Sequence, residues 1–249
     1  MDSKAYLERI GYRGSLLPGF ESLRDLQLSH LLSVPFENLS IHANEPILLQ
    51  ERSLFDKIVL RKRGGFCYEL NGLFAVLLGG LGFDVKMLSA GVARTDGGFG
   101  PDFDHMTLMV LLEERWLVDV GFGDSFRQPL LLDKRDVQVQ GNRSYQIDEN
   151  GAYLILKERD GEGGWKPQYR FTLQPHRLAD YVEMCHYHQT SPKSSFTRQR
   201  VCSRALPDGR VTLSDMRLIV TEGRERRERA LADEAEYIAV LAEEFGIKM

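Results

Sequence analysis

The chain reads as an α+β protein in which helices come first, strands follow, and a mixed region closes the sequence. Two observations predict this order. Apolar residues recur at helical spacing as far as about residue 81, and from Val85 the period shortens to that of strands. No internal repeat or low-complexity linker interrupts the chain, so its divisions follow the periodicity: a helical domain over 1–84, a β-barrel over 85–190 and a short α/β region over 191–249.

The opening "MDSKAYLERIGY" has no basic leader ahead of an apolar run and reads as the start of a helix rather than a signal peptide. Ser22 is placed to cap "SLRDLQLSHLLS", with leucines at 23, 26, 31 and 32, and that helix must stop before Pro35. "SLFDKIVLRKRG" repeats the signals, with Ser53 as cap, Leu54 and Ile58 on one face and Gly64 near the end. A third helix is expected over about Phe66 to Leu81, ended by Gly82.

Strands are then expected at "VKMLSAGVAR", "HMTLMVLLE", "RWLVDVGF", "SYQID", "AYLILKER" and "YRFTL", with a hairpin turn at Asn150-Gly151. So many short strands in succession suggest a barrel or a strongly bent sheet. A helix over about Arg177 to His188 leads into the loop "QTSPKSSFTRQ", then paired strands around Asp208-Gly209. A last helix carries Leu231, Ala235, Ile238, Leu241 and Phe245 on one face, and the arginines at 224, 226, 227 and 229 read as a solvated helix face.

Composition excludes several classes of function. With 249 residues, 43 % of them hydrophobic, the chain can bury a substantial core. Lys plus Arg number 32 against 36 Asp plus Glu, and a net charge of -4 gives no general pull toward nucleic acid or an anionic membrane. The longest uncharged apolar stretch, Leu70 to Phe83, is short of the ~20 residues that span a bilayer and is broken by Asn71 and several glycines. Three cysteines, Cys67, Cys185 and Cys202, are too few and of the wrong parity for a disulfide framework, which points to a reducing, cytoplasmic setting.

Cys67 stands out among the three. It follows Gly64-Gly65 after one residue, Phe66, at a helix start, where exposed N–H groups and the positive dipole end favour thiolate over thiol. A nucleophilic thiolate needs a base, and six histidines are available. His30 lies on an amphipathic helix, His42 in a loop and His176 at a helix entrance, and each suits a solvated or hydrogen-bonded role. "CHYH" at 185–188 looks metal-like, but residues two apart on a helix point to different sides, so no metal is expected.

His105 differs because it opens a strand that turns back into "WLVDVGFG", where Asp119 interrupts an apolar run. A carboxylate between Val118 and Val120 is a costly misfit unless it is paired. A two-residue turn at Glu113-Glu114 would put His105 and Asp119 on opposite faces. A three-residue loop, Leu112 to Glu114, pairs 107 with 119 and makes 105 and 119 diagonal neighbours on one face, about 7–8 Å between backbones. That loop is therefore predicted.

With Cys67, His105 and Asp119 in that order, the sequence resembles the arylamine N-acetyltransferase family. "VPFENLSIH" (34–42), "RGGFCYELNGLF" (63–74), "HMTLMV" (105–110), "WLVDVGFG" (116–123) and "SPKSSFTRQ" (191–199) carry the resemblance in sequence order. It implies an N-terminal helical domain, a β-barrel and a C-terminal α/β lid, with a cysteine-protease-like core. At the matched positions it implies that Cys67 is the nucleophile, His105 its base and Asp119 the group that holds His105. It implies a ping-pong reaction: acetyl-CoA acetylates the cysteine, CoA leaves, and an arylamine, arylhydrazine or N-hydroxyarylamine takes the acetyl group, without a metal.

The same resemblance makes "VGFGDSFRQP" a boundary of the acceptor pocket, with Phe122 and Phe126 placed to stack on an aryl ring and Phe36 reaching the same cleft. Phe126 suits packing inside the barrel equally well. Glu37 and Asn38 are expected to fix their loop by hydrogen bonds, and Arg63 to pair with Glu37 or Glu69. Asp124 in the same boundary loop is expected to disfavour acidic acceptors. The chain ends at Met249, short for that family, which implies a reduced lid. Two other readings use the same three side chains: an amide synthase that closes a macrolactam, and a thiol peptidase or transglutaminase-like enzyme.

Overall fold

The structure, a computed structural model, describes residues 1–223 and 225–248. Helix α1 (Ser3–Arg9) is capped by the Asp2 carboxylate, which accepts from Ala5 N–H at 3.1 Å. Helix α2 (Phe20–Ser33) starts two residues before the expected Ser22 cap: Gly19 precedes it, and the Ser22 hydroxyl donates back to Leu17 and Gly19 carbonyls at 2.7 and 3.0 Å. A serine hydroxyl serves either end of such an exchange, so the cap residue was misplaced while the helix was not. Strand β1 (Phe36–Glu37) and the short helix α3 (Leu39–His42) follow Pro35.

Helix α4 (Glu51–Phe55) is preceded by Gln50 rather than capped by Ser53, and it widens into a π-helical turn, Asp56–Leu60. Helix α5 (Cys67–Gly80) is the axis of the helical layer. Leu70, Leu73, Phe74, Leu77 and Leu78 are all buried and cover more than one face, as expected of a helix enclosed on all sides. They pack with Tyr6, Leu23, Leu26 and Ile58 from the other helices, and with Leu108 and Val118 from the sheet behind.

Eight antiparallel strands form the second layer: β2 (Asp84–Val92), β3 (His105–Leu111), β4 (Arg115–Val118), β5 (Leu130–Leu131), β6 (Gln138–Gln140), β7 (Arg143–Asn150), β8 (Tyr153–Asp160) and β9 (Lys166–His176). Their order is β5-β4-β3-β2-β9-β8-β7-β6, so the edges are two strands adjacent in sequence. Those edges meet through side-chain amides. Gln138 accepts from Leu131 N–H at 2.7 Å and donates to its carbonyl at 2.9 Å, and Gln140 does the same for Gln128 at 3.1 and 2.8 Å. The sheet is thereby a nearly closed barrel, filled by Leu88, Leu117, Phe126, Leu130, Tyr145, Ile147, Tyr169 and Phe171.

A 3-10 turn (Leu178–Tyr181) runs into α6 (Val182–Thr190), and α7 (Ser195–Arg198) leads to the last layer. Its strands are β10 (Val201–Leu206), β11 (Gly209–Ser214), β12 (Arg217–Glu222) and β13 (Glu225–Ala230), with α8 (Glu234–Phe245) packed against them. The order β1-β10-β11-β12-β13 draws the two-residue strand Phe36–Glu37 from the helical layer into this sheet.

Two expectations for this region are corrected. Arg226, Arg227 and Arg229 lie on the edge strand β13 rather than a helix, and Arg224 falls outside the described residues. All six residues of β13 are exposed, and an edge strand written "ERRERA" uses charge to discourage further pairing. Helix α8 turns Tyr237, Val240, Leu241 and Phe245 inward, while Ile238 is 43 % exposed and Leu231 precedes the helix. Choosing Leu231 as the first member of the stripe rotated the expected face.

Candidate active site

Cys67 occupies the first position of α5, where the chain leaves a tight turn. A Cβ on Gly64 would lie 2.0 Å from the Pro35 carbonyl oxygen, so the turn exists only because that residue has no side chain. The contact lets Glu37 N–H donate to Gly65 O at 2.9 Å and brings Phe36 beside the turn. Cys67 is 3 % exposed, in a cluster with Phe66, Tyr68, Met106, Tyr181 and Cys185. Burial pushes its thiol well up from the ordinary value; the Met106 N–H opposes this, and the Asp119 carboxylate adds to it. Burial opposes the preference for thiolate that a helix start gives, so a thiolate here depends on a proton acceptor beside the sulfur.

His105 begins β3, and the expected loop is present: Leu111 pairs with Arg115, leaving Leu112, Glu113 and Glu114 to make the turn. The same register brings His105 Nε2 to 2.7 Å from Asp119 Oδ2, with both side chains buried. Asp119 lies just past the end of β4 rather than within it, and this freedom lets its carboxylate turn back. Its other oxygen accepts from Gly121 N–H and from Asn71 Nδ2, each at 2.8 Å. The carboxylate is thus satisfied on both oxygens. Because Asp119 is an acceptor, Nε2 carries the imidazole proton and Nδ1 is left as the basic nitrogen.

Asn71 is the residue that the sequence reading missed, having treated it only as an interruption of an apolar run. It lies one turn beyond Cys67 on α5, donates to Asp119 and to Met106 O at 2.6 Å, and accepts from Val120 N–H at 2.9 Å. The i, i+4 spacing from Cys67 was the available signal. Gly121 completes the junction: a Cβ there would lie 2.8 Å from Cys67 Cα and 2.8 Å from Asn71 Nδ2. Tyr169 on β9 was also missed. Its ring lies 5.1 Å from that of His105, and its hydroxyl meets Thr107 Oγ1 at 3.2 Å; nothing in its strand pattern marks it.

Phe122 is half-buried with its ring 5.2 Å from that of His105. Phe36 is half-buried and faces Phe196 of α7 at 6.1 Å. Phe126 is 1 % exposed inside the barrel, edge-on to Tyr145 at 5.9 Å, the packing position that the sequence allowed for it. Asp124 is held by Arg143 and Arg210 at 2.9 and 3.1 Å, which keep its carboxyl below the ordinary range against the opposing effect of partial desolvation. Its charge is therefore compensated, and the expected repulsion of acidic acceptors loses its basis.

The remaining local expectations concern support. Arg63 pairs with Glu37 at 3.0 Å, and Asn38 donates to Phe196 O and Gln199 O at 2.9 and 2.7 Å. Of "CHYH", Cys185 and His188 are buried and His186 is exposed. Among the described residues no group of three His, Cys, Asp or Glu side chains is arranged to hold a metal ion, and no helix is long and apolar enough to cross a membrane.

Residues 19–249 match the N-acetyltransferase family model. An arylamine N-acetyltransferase of Escherichia coli is 34 % identical over 246 residues, covering 97 % of this chain and 87 % of its own. Proansamycin X synthase of Amycolatopsis mediterranei is 31 % identical over 249 residues, covering 97 % and 95 %. The solved structure of Mycobacterium marinum arylamine N-acetyltransferase in complex with CoA superposes with a TM-score of 0.90 at 32 % identity, covering 99 % and 93 %.

Proposed function

The chain belongs to the N-acetyltransferase family as an arylamine N-acetyltransferase, and we propose that Cys67 carries the acetyl group between acetyl-CoA and an aromatic acceptor. The observation that carries this reading is the buried His105–Asp119 pair, 2.7 Å apart, on the strand whose next residue, Met106, brings its N–H to the buried Cys67 sulfur. Such a sulfur becomes nucleophilic by passing its proton to a neighbouring base at the moment of attack. His105 Nδ1 is that base, and Asp119 supports the imidazolium that results.

The chemistry then balances in two halves. Cys67 Sγ attacks the thioester carbonyl as its proton moves to His105 Nδ1, and N–H groups of the first turn of α5 stabilise the oxyanion. The tetrahedral adduct expels the CoA thiolate, which takes the proton back from His105. One thioester replaces another, so the step is close to even in energy. In the second half the nitrogen of an arylamine or arylhydrazine, or the oxygen of an N-hydroxyarylamine, attacks acetyl-Cys67. His105 takes the acceptor's proton and returns it to the departing sulfur. Phe122, beside the imidazole, and Phe36, across from Phe196, form aromatic walls for the acceptor.

Intact mass after incubation with acetyl-CoA and no acceptor tests the assignment. Wild type gains one acetyl group, Cys67→Ala gains none, and addition of an aniline removes it. An equal adduct on Cys67→Ala would overturn the role of Cys67. The likeness to proansamycin X synthase supports a second reading, an amide synthase, and an acetyl-enzyme that no aromatic amine discharges would favour it. The three free cysteines support a reducing, cytoplasmic location.

A further inference from the structure

Four charged side chains lie beneath the turn that carries Cys67, and no step of acyl transfer uses them. Lys57 Nζ is 2.8 Å from Glu69 Oε1 and 3.9 Å from Glu37 Oε1, and Arg63 Nη2 is 3.0 Å from the same Glu37 oxygen. Their side chains are at most 6 % exposed. Two buried cations meet two buried anions, and the half-exposed Glu45 lies a further 3.9 Å from Arg63 Nη1 at the rim. Each buried carboxylate uses its second oxygen on a backbone N–H: Glu69 Oε2 accepts from Phe66 at 3.1 Å, and Glu37 Oε2 from Leu39 at 2.6 Å.

Phe66 is the residue before Cys67, so its N–H sets where α5 begins. The space that Glu69 needs is left by Gly65, on which a Cβ would lie 2.7 Å from Glu69 Oε2. Lys57 lies in the π-helical turn, and this wide turn presents its side chain inward while Arg61, just beyond, stays 48 % exposed. Burying an ammonium is costly, and an apolar residue of similar length is often as stabilising in such a place. What an apolar residue cannot do is hold the Glu69 carboxylate in place. Its carboxyl is raised, burial and the Glu37 charge pushing it up and Lys57 opposing them. Without Lys57 a charged Glu69 is an unpaired buried anion beside Glu37, and turning toward the open cavity relieves that at the expense of the Phe66 N–H bond, whereas an uncharged amide has no such reason to leave.

We infer that Lys57 is a positioning residue for acyl transfer: through Glu69 it clamps the Phe66 N–H and so holds the Cys67 sulfur against the Met106 N–H and His105. This rests on the reading that Cys67 is the acyl carrier. The pair borders an open cavity of about 450 Å³, so shortening Lys57 leaves no sealed void.

The test compares wild type with Lys57→Met and with two electrically balanced pairs, Lys57→Met/Glu69→Gln and Lys57→Met/Glu69→Leu. A glutamine oxygen can still accept from Phe66 N–H, whereas leucine cannot. Two readouts are taken on protein shown to be folded by circular dichroism. One is the rate of acetyl-enzyme formation against acetyl-CoA concentration. The other is the pH profile of Cys67 alkylation by iodoacetamide, corrected with Cys67→Ala for the other thiols.

Lys57→Met is expected to lower the maximal acetylation rate roughly 10- to 100-fold with little change in the half-saturating acetyl-CoA concentration, and to move the alkylation profile to higher pH. The glutamine pair recovers most of the rate and the profile; the leucine pair does not. Equal behaviour of the two pairs overturns the inference even if Lys57→Met alone fails to fold. So does a folded Lys57→Met that matches wild type in both readouts. Failure of the carrier reading looks different: acetyl-CoA then leaves no adduct on wild-type Cys67, while the alkylation profiles still report the clamp.

Discussion

Asn71 uses one amide to join α5, the start of β3 and the loop after β4, through its bonds to Met106, Asp119 and Val120. A buried amide with its donors and acceptor used in this way sets distances that charge alone does not. His30 shows the opposite case. It is fully buried between Tyr6 and Phe74, with no hydrogen-bond partner for either ring nitrogen among the described residues. Burial, helped by Arg9, pushes its pKa down to about 3. The unfolded chain therefore binds the proton that the folded one refuses between about pH 6.5 and 3. Stability from this group is present above pH 6.5 and lost as pH falls through that window. Replacing His30 by leucine is expected to remove this penalty, so that urea unfolding at pH 4.5 shows a gain over wild type about 2–3 kcal/mol larger than at pH 7. An equal difference at the two pH values would contradict it.

At the scale of elements, the site is the meeting of a helix start, a strand start and a loop. The loop reaches the helix because Gly121 presents no Cβ toward Cys67 Cα. Gly121→Ala must push the loop away from backbone atoms that cannot yield. Its expected cost is about 1–3 kcal/mol in denaturant unfolding, with a roughly 10- to 100-fold slower acetylation of Cys67. Unchanged acetylation would show that the loop can retreat without moving Asp119. Helices with capping signals and strands with hairpin signals were legible in the sequence, as the Leu112–Glu114 loop illustrates. The strand β13 was not, because "ERRERA" has no apolar alternation: its place is set by pairing with β12, and both its faces are wet.

At the scale of the molecule, β1 ties the helical layer to the C-terminal sheet. Phe36 and Glu37 pair with Ser203 and Cys202, and Asn38 spans the junction by donating to Phe196 O and Gln199 O while accepting from Val201 N–H at 2.8 Å. The same junction sets Phe36 opposite Phe196, so this aromatic contact depends on how the layers are joined. Asn38→Ala leaves buried backbone groups unpaired and is expected to cost about 2–4 kcal/mol. It should also separate two transitions expected to coincide in wild type: loss of helix and strand followed by circular dichroism, and exposure of Trp116 and Trp165 followed by fluorescence. Coincident curves with an unmoved midpoint would sink the idea that Asn38 couples the layers.

The sequence by itself determined that helices precede the barrel strands, that Cys67 stands at a helix start and the register that faces His105 toward Asp119. These depend on local period, turn length and capping, which are written in consecutive residues. Only the tertiary structure decided that Asn71 and Tyr169 flank the pair, that Phe126 belongs to the barrel core, that Asp124 is neutralised by Arg143 and Arg210, and that Lys57 is buried against Glu69. Each of these is a contact between distant segments. Its energy comes from desolvation and pairing in the packed interior, and consecutive residues do not specify which partner will be there.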